Sequence, residues 1–215
     1  MESSELFRGR DVKINVCKIF QSCYTIYSIH LDTLIGVYLM YLLNGPHLST
    51  AVHYTFHCSV LRLRNLVKDG QRVQPRPKVI TSGRYLAWCK WDRESYMSTV
   101  AISPHGVLAN FRLITHKNLL YQIVNISAHE VAHGLTNFRY RGDARRRPFR
   151  PHGVEWQQIM RTEMGVAGKS NRFVSESLPM VLCDGPFWSE LVEVYYGWVD
   201  GKSWDTERMQ RLIAI

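Results

Sequence analysis

Residues 127–134 read Ser127-Ala-His-Glu-Val-Ala-His-Gly134, and this stretch indicates the fold of the chain. Side chains four residues apart in an α-helix lie one turn above each other, so His129 and His133 can bind one metal ion. Glu130 lies beside them and can act as an acid or a base without being a ligand. The pattern therefore predicts a zinc site on a helix.

A third ligand for this site is predicted at His152. Catalytic zinc usually has three protein ligands and a fourth position open to water. His152 stands at the head of a second predicted helix, in Pro151-His-Gly-Val-Glu-Trp-Gln-Gln-Ile-Met160, and a loop between the two helices could aim its imidazole at the first. Glu155, one turn later, either hydrogen-bonds a ligand imidazole or is solvated.

The helix that carries the first two histidines is predicted to run from Asn118 to Leu135 and to be buried on one face. The opposite face presents His129 and His133, which separates the chemical side of the helix from its packing side. The predicted apolar positions are Leu120, Val124, Ala128, Val131 and Leu135.

The chain before this helix is predicted to form one helix and a small antiparallel sheet. The helix begins near Ser49 and ends near Gly70, with its apolar face at Val52, Phe56, Val60, Leu63 and Val67. His53 and His57 are also four apart, but no carboxylate or cysteine ligand for a shared metal ion is predicted near them, so an interpretation without metal is favoured. Three β-like runs follow, at Lys78–Thr81, Tyr85–Trp91 and Ser98–Ser103, and the sheet edge could hold an extended peptide by strand addition.

Composition indicates an intracellular protein that buries an ordinary core. The 215 residues suit one domain with extensions, and the five cysteines are an odd number with no Cys-x-x-Cys pair, which favours a reducing compartment. Residues 1–10 do not resemble a secretory signal, and the apolar run Leu34–Leu43 is about half as long as a membrane span requires. We therefore expect a cytoplasmic location, or the host cytoplasm for a viral protein, and no membrane partner.

Several motifs in a fixed order resemble the SprT family, which includes Spartan-type proteases. The resemblance covers residues 48–180 and is most specific where the two histidine motifs occur together. It implies an α+β zincin-like domain, a zinc ion on His129, His133 and His152, and Glu130 as catalytic acid and base. Spartan-type members degrade proteins attached to DNA, which implies DNA as a partner. The motifs are Pro75-x-Pro, Ala128-His-Glu-Val-Ala-His133, Pro151-His-Gly-x-Glu-Trp156, Met160 and Gly165-Val-x-x-x-x-x-Arg-Phe173.

The chain departs from the family pattern at both ends. Residues 1–47 are predicted to be a helical extension, which is typical of a specialised context such as a phage or mobile-element protein. Residues 181–215 lack the paired cysteines of the zinc ribbon found in many SprT relatives and are predicted to be an aromatic-rich tail.

The segment between the two ligand helices is strongly basic, with six arginines against one aspartate, in a chain whose formal charge is +9. These arginines, with interleaved aromatic residues, could bind phosphates and unpaired bases or an acidic substrate. The competing interpretation is a solvated loop. The arginines are Arg139, Arg141, Arg145, Arg146, Arg147 and Arg150.

The sequence thus predicts a zinc metalloendopeptidase in which Glu130 activates the attacking water and returns the proton to the leaving amine. The alternative is a nucleic-acid-associated or virion-associated binding protein with a structural zinc site and no proteolysis. Hydrolysis of a non-peptide amide would use the same residues. His105 and His116 are interpreted as surface or turn histidines.

Overall fold

The computed structural model describes residues 47–81, 85–111, 115–140, 150–166, 178–203 and 205–214. The predicted helical extension over residues 1–47 lies outside these ranges except for His47, and the predicted non-membrane apolar run at Leu34–Leu43 lies outside them entirely. Within the described chain the fold is α+β, with helices around a three-stranded sheet. No described helix is long and apolar enough to cross a bilayer.

The first described helix, α1, covers residues 47–66 and packs its predicted apolar face inward. Val52, Phe56 and Leu63 are fully buried, so the apolar residues at intervals of three and four define the packing side as predicted. A short helix, α2 (Gly70–Val73), follows Asp69, whose φ of 64° is left-handed. A Cβ at Gly70 would lie 2.5 Å from the Arg64 carbonyl oxygen, so only glycine fits this turn.

The sheet consists of β1 (Arg76–Val79), β2 (Ala87–Asp92) and β3 (Met97–Ile102) in the order β1-β3-β2. β2 and β3 form an antiparallel hairpin, whose turn is stabilised where the Asp92 carboxylate accepts hydrogen bonds from the Glu94 N–H at 3.1 Å and the Ser95 hydroxyl at 2.5 Å.

The predicted antiparallel sheet is wrong for β1, which pairs with β3 in parallel, Arg76 opposite Thr99. β1 ends and β2 begins at the same end of β3, so the sheet is mixed. The seven residues from 80 to 86 can span about 23 Å, more than the roughly 10 Å across two strand spacings. The chain between β1 and β2 is therefore long enough to pass the end of β3. Adjacency in sequence does not indicate that β1 pairs with β3 rather than with β2.

Two helices follow the sheet, α3 (Pro104–Phe111) and α4 (His116–Tyr140). α4 has 25 residues and is about 37 Å long, extending beyond both predicted ends. Its predicted apolar positions are buried, from Leu120 to Leu135. A Cβ at Gly134 would lie 2.9 Å from Ser98 Oγ, so α4 packs closely on β3 at this glycine.

The remaining helices are α5 (Val154–Thr162), α6 (Met180–Cys183), α7 (Gly185–Val199) and α8 (Thr206–Ala214). The region predicted to be an aromatic tail is thus largely helical, and it belongs to the same compact unit, Leu43–Ile215, as α4. Trp188 stacks on Tyr121 of α4 at 5.4 Å between ring centroids, and Trp198 contacts Tyr54 of α1 at 5.3 Å. Its aromatic residues therefore contribute to packing.

Candidate metal centre

The three histidines predicted as ligands form one cluster that could hold a metal ion. The Nε2 atoms of His129 and His133 are 3.2 Å apart, those of His133 and His152 are 3.2 Å apart, and those of His129 and His152 are 3.1 Å apart. Tetrahedral coordination with Zn–N bonds of about 2.0–2.1 Å needs nitrogen atoms about 3.3–3.4 Å apart. The nearly equilateral triangle fits three ligands of a single ion.

Helix geometry and one turn bring these atoms together. α4 supplies His129 and His133 from successive turns of one face. His152 precedes α5 in a turn closed by the Gly153 N–H, which donates to the Arg150 carbonyl at 2.9 Å. The side-chain amide of Gln157 donates to the His152 carbonyl at 3.0 Å, which ties His152 to the first turn of α5. The prediction that His152 stands at a helix entry and reaches back to α4 is confirmed.

Trp156 forms the base of the cluster and contacts all three imidazoles. Its ring centroid lies 4.7 Å from that of His129, 5.6 Å from that of His133 and 4.9 Å from that of His152. Its indole N–H donates to the His129 carbonyl at 3.4 Å. In the sequence, Trp156 is distinguished only as part of a motif, and its contacts with the histidines are not predicted. Its position one turn after His152 was the available signal that it shares the face of that ligand.

Burial keeps the histidines neutral at physiological pH. It lowers the pKa of His129 to about 3, with a further contribution from repulsion by His133 and His152. Burial and repulsion by His152 lower the pKa of His133 to about 4, and burial also lowers the pKa of His152. Metal ligation requires neutral imidazole, so protons compete weakly with a metal ion at this cluster.

Glu130 directly follows His129 on α4 and is buried, with 6% of its surface exposed. Burial raises its pKa to about 8. The pKa of the Cys89 thiol in β2 is raised mainly by burial and further by the Glu130 carboxylate. The two groups are therefore close enough to interact electrostatically. Glu130 therefore faces β2. A cation on the three imidazoles would favour the ionised carboxylate and lower the Glu130 pKa again.

β2 is the edge strand that lies beside α4. Within the described residues it pairs only with β3, so its second edge presents backbone donors and acceptors that no described strand binds. Trp91 of this strand contacts Phe138 of α4 at 5.8 Å between ring centroids, which holds the strand against the helix.

The predicted arginine loop begins later than expected, since Asn137 to Tyr140 belong to α4. Arg139 is not free to bind phosphate, because its guanidinium is paired with Asp69 and Glu163. Its assignment to an anion-binding set is therefore wrong. Arg150 is exposed next to the turn that carries His152. The other four arginines, Arg141, Arg145, Arg146 and Arg147, lie outside the described residues.

The remaining predicted residues occupy simpler positions. One carboxylate oxygen of Glu155 would be 3.1 Å from a Cβ at Gly153, so the side chain folds back over the turn before α5. A hydrogen bond from Glu155 to a ligand imidazole stays a prediction. His105 is exposed and His116 is half-buried, each in the first turn of its helix.

Comparisons with known proteins leave the family open. No protein-family model, curated protein or solved structure matches the chain. The SprT resemblance thus stays a prediction that rests on the motifs, and the geometry of the site carries the functional argument.

Proposed function

We propose that this chain is a zinc-dependent metallopeptidase of the SprT type, with a zincin-like catalytic centre. The observation that carries the proposal is the triangle of three Nε2 atoms together with a buried carboxylate, Glu130, at the position that follows His129 on α4. A purely structural site would use its ligands alone, whereas burying a carboxylate that is not needed as a ligand costs free energy. Such a cost is typical of catalytic groups.

The chain's own residues account for the steps of hydrolysis. A bound zinc ion supplies Lewis acidity, which polarises a peptide carbonyl and lowers the pKa of water. His129, His133 and His152 would hold it. The Glu130 carboxylate accepts a proton from the attacking water at one oxygen and donates that proton to the leaving amine, so one group serves as base and then as acid.

The open edge of β2 supports a peptide as the substrate. An extended chain could add to this edge through backbone hydrogen bonds, which give affinity with little dependence on the substrate sequence. The Glu130 carboxylate contributes to the raised pKa of the Cys89 thiol in β2, which supports a bound strand at this edge lying near the catalytic carboxylate. Proteins held on DNA are one substrate class that the SprT resemblance implies.

The test is metal content followed by cleavage of a disordered protein. We expect one zinc per chain by elemental analysis. Glu130→Gln should retain the zinc and lose about 10²- to 10⁴-fold in cleavage rate, because the proton transfer is removed. His152→Ala should lose both zinc and cleavage. Equal cleavage by wild type and Glu130→Gln would exclude this mechanism.

The alternative of a nucleic-acid-binding protein has one supporting surface, at the C-terminal end of α4. The Arg72 guanidinium lies over the Phe138 ring at 5.1 Å, and Trp91 contacts both Phe138 and Tyr96. Tyr96 is 62% exposed, so bases could stack there beside a cation. The variants above separate the two functions, since a binding protein would retain zinc and cleave nothing in either the wild-type or the Glu130→Gln form.

A further inference from the structure

Arg139 joins three separate parts of the chain at the C-terminal end of α4. Its Nε donates to the Asp69 carboxylate at 3.0 Å, and its Nη2 donates to the Lys68 carbonyl at 2.5 Å. Both terminal nitrogens also bind the Glu163 carboxylate, Nη2 at 3.1 Å. The three side chains are 16–18% exposed, so water screens these ion pairs weakly.

Glu163 gives this cluster a mechanical relation to the metal centre. Glu163 directly follows the last residue of α5, whereas His152 lies two residues before the first residue of that helix. The two ends of α5 thus have different attachments to α4. One end brings His152 to His129 and His133, and the other is held by Arg139, six residues beyond His133.

We propose that Arg139 is a positioning residue that sets the place of His152 in the metal centre by fixing the far end of α5 to α4. This inference rests on the proposed function, since it concerns the same metal centre. His152 and Glu163 are eleven residues apart, which corresponds to about 16 Å along a helix axis. A 5° rotation of α5 about the Arg139 contact would move His152 by about 1.4 Å, against a tolerance of about 0.2 Å in metal–ligand distances.

The guanidinium suits this role better than a single charge would. A planar fork with two bonds to Glu163 restricts direction as well as distance, which a lysine ammonium does not do. Removing Arg139 would also leave Glu163 as a partly buried carboxylate without this partner, and Asp69 with Arg72 alone. Repulsion between the two carboxylates would then favour movement of the end of α5 away from Asp69 and α4.

The chain contains a matched control for the stability effect of losing such a cluster. Arg208 of α8 also binds two carboxylates, Glu190 at 2.6 Å and Glu193 at 2.7 Å, both on α7. No member of the histidine cluster lies on either helix. Arg208→Gln therefore removes a two-carboxylate clamp between two helices, in a more exposed setting with Glu193 68% exposed, without touching the attachment of α5.

The experiment measures zinc affinity by competition with a chromophoric chelator, at a temperature where circular dichroism shows every variant to be folded. We expect Arg139→Gln and Glu163→Gln to bind zinc about ten- to hundredfold more weakly than wild type, the range typical of groups that orient metal ligands. Arg139→Lys should fall between Arg139→Gln and wild type, and it also serves if Arg139→Gln does not fold. Arg208→Gln should match wild type.

A second readout identifies the ligand that moves. The absorption spectrum of bound Co²⁺ depends on the number and geometry of its ligands. His152→Ala, which holds no zinc as purified, can be loaded with excess Co²⁺ to give the spectrum of the two remaining histidines. Arg139→Gln should shift toward that spectrum, and Arg208→Gln should not. Wild-type zinc affinity in folded Arg139→Gln and Glu163→Gln would overturn the positioning role. An equal loss in Arg208→Gln would also overturn it, by assigning the effect to general stability. Failure of the unmodified chain to bind metal would reject the metal centre and the proposed function together.

Discussion

Two histidine pairs with the same spacing occupy different helices and differ in what surrounds them. The rings of His53 and His57 on α1 are 6.2 Å apart between centroids, whereas those of His129 and His133 on α4 are 4.9 Å apart. A third ring, His152, lies 4.9 Å from both members of the α4 pair. Spacing alone puts two imidazoles on one face of a helix. A site in which three nitrogens converge also requires a third histidine from another part of the chain, as His152 provides for the α4 pair.

Lowered pKa values do not distinguish the two pairs. Burial lowers the pKa of His53, with a smaller contribution from His57, and burial alone lowers the pKa of His57. The α4 pair shows the same direction and the same leading cause. The distinguishing features are Trp156, which contacts all three rings, and Glu130, which is buried beside them.

The largest expected difference between the pairs is in metal affinity. His129→Ala or His133→Ala removes one of three ligands. Loss of a group that only orients a ligand lowers metal affinity about 10–100-fold, so loss of the ligand should lower zinc affinity by more than that. His53→Ala and His57→Ala should leave both affinity and stoichiometry unchanged. Isothermal titration of the metal-free variants with zinc measures this. A second equivalent of zinc that is lost in His57→Ala would make α1 a site as well.

The next effect is on the pH dependence of stability, and it concerns Glu130, the carboxylate that follows the first histidine of the α4 pair. In the metal-free protein, Glu130 has a pKa of about 8 against 4.5 in the unfolded chain. The unfolded state therefore loses its proton first, and the folded state loses relative stability as pH rises from 4.5 to 8. Glu130→Gln should be more stable than wild type by on the order of 2–4 kcal/mol at pH 8 and by little at pH 4.5.

Urea denaturation at both pH values, in the presence of a chelator, checks this expectation. Glu207→Gln is a suitable control, because the Glu207 side chain is 81% exposed and its replacement should change stability little at either pH. A stability gain in Glu130→Gln that does not grow with pH would show that Glu130 is not the group that titrates.

The smallest of the three effects concerns the residue after the second histidine, which is Gly134 in α4 and Cys58 in α1. Gly134→Ala should destabilise the fold by about 1–3 kcal/mol, because the added Cβ meets Ser98 of β3 and forces α4 outward. Gly197 in α7 is the matched control. A Cβ there meets only the flexible side chain of Lys202, at 3.2 Å. Gly197→Ala should gain about 0.5–1 kcal/mol from helix propensity. Thermal denaturation that ranks the two alanines the other way would contradict close packing of α4 on β3.

The metal-binding residues were predictable because their relation is local. His129 and His133 are fixed by the period of one helix, and His152 by its place at the entry of the next. The burial of α1 and α4 along one face followed in the same way from apolar residues at intervals of three and four. Because these patterns have a fixed period along the chain, they can be recognised from the sequence alone.

Contacts between distant residues were not predictable. The sequence pattern predicts that Arg139 belongs to a basic loop, whereas its partner Asp69 is 70 residues away and its partner Glu163 is 24 residues away. The parallel pairing of β1 with β3 and the packing of Trp188 on Tyr121 likewise depend on how elements meet in space. Nothing in the local composition distinguishes an arginine that binds solvent from one that joins helices.

The strand order β1-β3-β2 has a consequence for the rate at which the fold assembles. β2 and β3 are joined by a turn of four residues, so they can pair early, while Arg76 of β1 pairs with Thr99, 23 residues further along. Closing the longer loop costs more chain entropy, so β1 is expected to add to a hairpin that already exists. Substitutions that weaken the hairpin should then slow folding, whereas those that weaken β1 should mainly speed unfolding. The parallel strand at the edge would thus determine how long the native state lasts rather than how quickly it is reached.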